Sequence, residues 1–166
     1  MRHKSGFTLI ELIVAVSIMM VLLGVGSYAI SGFTQSRKVM SARNEMTTHI
    51  KLARNLAMTN QLPNKTTNLQ YVRVTISGMT ISVVGVAKNG SVFTASPYFS
   101  KTVEAKGSIT TINNVLISGF GFDGISGKLT DINGNLSDNP LTLNVVEGSS
   151  NYSIGINSLG IITDEN

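Results

Sequence analysis

Between Leu12 and Ile30 the chain runs for nineteen residues, LIVAVSIMMVLLGVGSYAI, without a charge. As a helix rising 1.5 Å per residue, such a run is long enough to cross the roughly 30 Å hydrocarbon core of a bilayer. One carboxylate, Glu11, stands at its leading edge, behind a short head that holds Arg2, His3 and Lys4. A carboxylate in apolar surroundings is costly unless something offsets its charge. Glu11 therefore either snorkels to a membrane interface, as in a plain bitopic anchor, or meets a partner charge.

At 166 residues the chain has room for one such helix and one domain of about 100 residues, and no second full domain. Charge divides it. Residues 1–73 hold nine Lys/Arg and two Asp/Glu, whereas residues 74–166 hold four and seven, for the overall +4. The basic excess lies on the head and on the helix beside the apolar run, where anionic headgroups are the simplest partner. The C-terminal part is net acidic with scattered aromatics (Tyr71, Phe93, Tyr98, Phe99, Phe120, Phe122, Tyr152), a poor match to the basic stripe that binds nucleic acid. There is no cysteine, which removes disulfide frameworks and thiolate zinc sites.

Nothing stops a helix from Phe7 to about Asn60, although Gly24, Gly26 and Gly32 soften it; Pro63 supplies the stop. Past the apolar run, Val39, Ala42, Met46, Ile50, Ala53 and Ala57 recur at three- and four-residue steps. They form an amphipathic stripe suited to burial against the chain's own sheet. Lys38, Arg43, Glu45 and Lys51 lie off the stripe and read as a solvated face. Gly24-Val25-Gly26 would let neighbouring helices approach, or loosen the helix.

After Pro63 the period shifts toward two. Leu69 to Ser77 and Met79 to Ala87 read as strands around a tight turn at Ser77-Gly78, with a second turn at Asn89-Gly90 before Ser91 to Ala95. Pro97 to Lys106 is poorly patterned and reads as loop. Ile109 to Ile112 and Val115 to Phe122 are strand candidates, followed by a glycine-rich turn through Gly127. Leu141 to Val146, Tyr152 to Ile156 and Gly160 to Thr163 close the chain as a meander. The expected fold class is α+β: a long N-terminal helix, half membrane-spanning and half amphipathic, packed on an antiparallel β-sheet head.

Catalytic chemistry finds no constellation. His49 has no second histidine near it and reads as a surface residue, and no serine lies in a Gly-x-Ser-x-Gly elbow. Gly119-Phe120-Gly121-Phe122-Asp123-Gly124 has Gly-x-Gly-x-x-Gly spacing but no helical pattern after it, and reads as backbone punctuation in a β domain rather than as a dinucleotide or phosphate loop. No cofactor or metal is expected, with calcium at Asp131 to Asp138 as the one option that the Asp/Asn oxygens leave open; the EF-hand order is not met there, and the same composition is ordinary turn chemistry.

Ser5-Gly6-Phe7-Thr8-Leu9-Ile10-Glu11-Leu12 resembles the type IV prepilin signal, the class III leader of bacterial pilins and pseudopilins. The resemblance implies that a prepilin peptidase cuts between Gly6 and Phe7 and N-methylates Phe7. It also implies that Glu11 is the assembly glutamate, meeting the N-terminal amine of a neighbouring subunit. On that division residues 1–6 are the leader, 7–33 the transmembrane and filament-core helix, 34–62 the amphipathic half and 63–166 the head. The later part of the chain is similar to minor pseudopilins of the GspH/FimT type. That likeness rests on a basic helix through Lys51 and Arg54, then Gly121-Phe122-Asp123-Gly124 with Gly127, then Ile154-Gly155-Ile156-Asn157-Ser158-Leu159-Gly160-Ile161-Ile162. Two features depart from relatives: no proline interrupts the apolar helix, and the chain ends in Thr163-Asp164-Glu165-Asn166 rather than in basic residues.

The implied function is a structural subunit of a type II secretion or type IV pilus-like filament. Its partners would be other pilin or pseudopilin subunits and an inner-membrane assembly platform. The alternatives are a type IV pilin for adhesion, motility or DNA uptake and, from another class, a DNA-binding receptor subunit. The implied location is the inner membrane, single-pass with the head extracytoplasmic, and later a periplasmic or surface filament. Counting Lys/Arg alone would place the head in the cytoplasm, because Arg37, Lys38, Arg43 and Lys51 outnumber Arg2 and Lys4. The resemblance sets the opposite orientation.

Overall fold

The computed structural model describes residues 8–60, 68–111 and 115–165. Gly6, Phe7, His3 and the stop assigned to Pro63 lie outside the described residues. Helix α1 runs Leu9–Met58. Among the described residues nine strands follow: β1 (Leu69–Ala87), β2 (Val92–Phe93), β3 (Phe99–Thr111), β4 (Leu116–Ile117), β5 (Gly119–Asp123), β6 (Leu129–Thr130), β7 (Leu141–Glu147), β8 (Ser150–Ile156) and β9 (Ile162–Glu165). They form one sheet in the order β6-β5-β1-β3-β7-β8-β9, with β2 paired to β1 and β4 to β3. Every named pairing is antiparallel. The fold is α+β, as the shift of period from helical to two implies.

The C-terminal half of α1 lies across β1, β3, β7 and β8. All six residues of the stripe, Val39, Ala42, Met46, Ile50, Ala53 and Ala57, are buried, and Leu56 joins them. Opposite them the sheet contributes alternate positions: Val72, Val74 and Ile76 of β1, Phe120 and Phe122 of β5, Leu141, Leu143 and Val145 of β7, and Ile154 and Ile156 of β8. The two phenylalanines meet edge to face at 5.6 Å, the arrangement that ring quadrupoles favour. Removing a side chain such as Ile50 from water contributes about 1.5–3 kcal/mol, so this seam outweighs any helix propensity in fixing α1 on the sheet.

The sequence reading fails in four places. Ser77-Gly78 is not a hairpin: β1 is continuous, with a register shift between Gly78 and Thr80. Tyr71 to Thr75 pair with β5 while Gly78 to Val83 pair with β3, so the strand is bent between two partners instead of reversed. Gly78 supplies the bend with φ of +58°, which other residues adopt at a cost.

Pro97 to Lys106 is not loop, because β3 begins at Phe99. Val103, Ala105 and Gly107 face inward and Thr102, Glu104 and Lys106 outward, a period of two hidden by the small size of the inward residues. The stretch 115–122 is split, with β4 pairing with β3 and β5 pairing with β1 on either side of Ser118. Finally, β6 is a two-residue strand that no sequence window resolves, and the last strand starts at Ile162 after a turn that Asn157 closes, its Oδ1 accepting the Ile161 N–H at 2.9 Å.

Candidate functional site

Helix α1 begins at a built cap. Thr8 is extended (φ −81°, ψ 149°), and its Oγ1 accepts the Glu11 backbone N–H at 3.3 Å. The Glu11 carboxylate returns the favour: Oε2 accepts the Thr8 N–H and the Thr8 hydroxyl, each at 3.0 Å. This is a reciprocal capping box, which serves N–H groups that the first helical turn leaves unbonded and sets a carboxylate at the positive end of the helix dipole. The Thr8-x-x-Glu11 spacing was legible in the sequence, yet a reading centred on membrane and filament did not register it. In the isolated chain, then, Glu11 is engaged by its own helix start.

Around and beyond that cap, α1 is apolar on every side and uncovered. Each large apolar residue from Leu9 to Val25 is exposed, from 77% at Leu9 to 43% at Val16. Two polar side chains along and just beyond this stretch bond back to the helix itself: the Ser17 hydroxyl donates to the Ile13 carbonyl at 2.8 Å, and Thr34 to the Ile30 carbonyl at 2.9 Å. Among the described residues no helix is long and apolar enough to cross a membrane; the described apolar side chains stop at Val25 and resume at Ile30. A helix apolar all round is stable in water only when something covers it.

The uncovered length ends at Val39, where burial against the sheet begins. Arg37 lies over the Phe33 ring at 4.5 Å, placing a cation–aromatic pair at this transition. Further along, Arg54 is not a solvated cation: its Nε donates to the Gly127 carbonyl and its Nη2 to the Leu159 carbonyl, both at 3.2 Å. It thereby ties α1 to the loops that follow β5 and β8. Arg43 lies 5.8 Å from the Tyr152 ring centroid. His49 is not a surface residue either, for its ring packs 4.7 Å from that of Phe99 under β3. Sequence reasoning missed Arg54 and His49 because both belong to the flank of a stripe whose partners are some fifty to a hundred residues away.

In the loop after β6, both oxygens of Asp131 are taken by local donors. Oδ1 accepts the Asn133 and Asn135 N–H groups at 2.8 and 2.9 Å, and Oδ2 accepts the Asn135 side-chain amide at 2.9 Å. These bonds hold the carboxyl below its ordinary range, against the opposing push of burial, which is the largest influence on it. Gly134, at φ of +90°, completes the turn. Among the described residues no group of three or more His, Cys, Asp or Glu comes together. The glycines of β5 serve packing: a Cβ at Gly121 would stand 2.8 Å from the Val72 carbonyl and 2.6 Å from Thr130 Oγ1.

Residues 1–27 match the prokaryotic N-terminal methylation motif. The chain carries a type IV pilin-like class III signal. It marks a structural, pilin-type subunit and not an enzyme, and it implies processing by prepilin peptidase, assembly with other pilin subunits, and a membrane-anchored state before the filament. No curated protein and no solved structure matches the chain.

Proposed function

We propose that the chain is a minor pseudopilin or pilin of a type II secretion or type IV pilus-like filament, of the GspH/FimT kind. Residues 1–6 are removed as a leader. Residues 7–33 are held in the inner membrane as a single pass with the head outside the cytoplasm, and then move into the filament core. The observation that carries this reading is the uncovered apolar half of α1, exposed from Leu9 to Val25 on a helix whose other half buries its apolar stripe against the sheet. A lone helix gains nothing in water from such a surface, whereas lipid and then a bundle of like helices would both cover it.

Glu11 supplies the register. Cutting after Gly6 creates an amine at Phe7, and in a dry bundle an unpaired ammonium or carboxylate is costly. The carboxylate of one subunit, already fixed in direction by Thr8, meets the amine of the next, so that only one axial offset leaves no charge unpaired. Glu11→Ala is expected to insert into the membrane normally and to fail in filament incorporation. Incorporation at the wild-type level would refute the pairing role. The GspH/FimT assignment is supported by the order of helix, sheet and closing glycine turn, and the genes adjoining this one would test it by encoding the remaining parts of a secretion or a pilus machine.

A further inference from the structure

The seam between α1 and β3 is apolar along most of its length, built from Met46, Ile50, Val103 and Ala105. An imidazole sits at its edge. The His49 side chain retains 15% of its exposure, yet both ring nitrogens are buried and, among the described residues, neither has a hydrogen-bond partner. Its ring is tilted by 53° against Phe99 of β3. Two charged groups among the described residues act on it. Glu45, one turn earlier on α1, places Oε1 3.8 Å from Nε2, too far for a hydrogen bond. Lys101, on β3, pairs its ammonium with that same Oε1. The carboxylate is thus committed across the seam to Lys101, and the ring packs as a flat apolar body.

We propose that His49, Glu45 and Lys101 form an acid-sensitive latch between the helix and the sheet of the head. With the ring neutral, the Glu45–Lys101 pair bridges α1 and β3 while His49 fills the space beside Phe99. A proton taken from solvent onto the ring makes both nitrogens charged donors that, as the side chains stand, have no acceptor within hydrogen-bond distance among the described residues. The imidazolium must then draw Glu45 away from Lys101 or leave Phe99 for water, and either move loosens α1 from β3. The inference stands independently of the filament reading.

Burial first, and the Lys101 charge second, hold the His49 pKa below the ordinary 6.5, with Glu45 opposing them. The unfolded chain therefore takes the proton first. The stability contributed by the neutral ring is complete above 6.5 and is lost as pH falls through that value toward the folded midpoint.

The test uses the full chain in detergent micelles with His3→Gln, so that the only imidazole signal is that of His49. An NMR titration is expected to give a midpoint below 6.5, and Lys101→Met is expected to raise it. Melting temperature should fall between about pH 7.5 and about pH 5.5, and the fall should be smaller when His49→Gln is added. A midpoint at or above 6.5, or the same pH dependence of melting with and without His49, overturns the proposal. Should His49→Gln fail to fold, the titration and the Lys101→Met shift decide the matter.

Discussion

Gly107→Ala probes how closely α1 is set on β3. A Cβ at position 107 would stand 2.8 Å from Met46 Cε and 2.9 Å from Ile76 Cγ2. The thioether end of Met46 can swing aside, but a β-branched side chain on a strand has little freedom at χ1. Overpacking of this kind costs about 1–3 kcal/mol, against about 0.4–1 kcal/mol returned by the reduced freedom of the unfolded chain. A net loss of about 1–2 kcal/mol is expected. Met46 is fully buried, and Met46→Ala alone should cost about 2–5 kcal/mol. In the double variant the new methyl moves into the space that the thioether vacates, so the two losses should fall short of their sum by at least about 0.5 kcal/mol. Urea unfolding followed by far-UV circular dichroism, in one detergent, measures all four proteins; the chain has no tryptophan to report by fluorescence. Full additivity, or a Gly107→Ala protein as stable as the parent, would refute the close approach of helix and strand.

Arg54→Met keeps most of the aliphatic packing but removes two hydrogen bonds to the Gly127 and Leu159 carbonyls. It should lower stability by about 1–3 kcal/mol and speed amide exchange in both loops; unchanged exchange there would show that the clamp is idle. Because the Asp131 carboxylate already accepts from the loop's own donors, millimolar calcium is expected to leave the melting temperature where EDTA leaves it. A calcium-dependent rise, abolished by Asp131→Asn, would show that the loop opens to take the ion.

The helix and its buried face were legible because both rest on a local period. Val39, Ala42, Met46, Ile50, Ala53 and Ala57 announce themselves by spacing alone. The strands were legible where inward residues are large, as at Leu141, Leu143 and Val145, and illegible where they are small, as at Val103, Ala105 and Gly107. The bend at Gly78 could not be separated from a hairpin, since Ser-Gly serves either, and only the pairing of the two halves of β1 with β5 and β3 decides. Of the candidate site, Thr8 and Glu11 carry a readable capping pattern. Arg54 and His49 do not, because their roles depend on Gly127, Leu159, Phe99 and Lys101, which the fold brings in from afar.

Intact-mass and N-terminal fragment analysis of the chain co-expressed with a prepilin peptidase tests the central reading most directly. The expected product begins at N-methylated Phe7, with residues 1–6 gone and Glu11 four positions past the new terminus. A membrane-inserted chain that still begins at Met1, alongside a control prepilin that is cut, would contradict it.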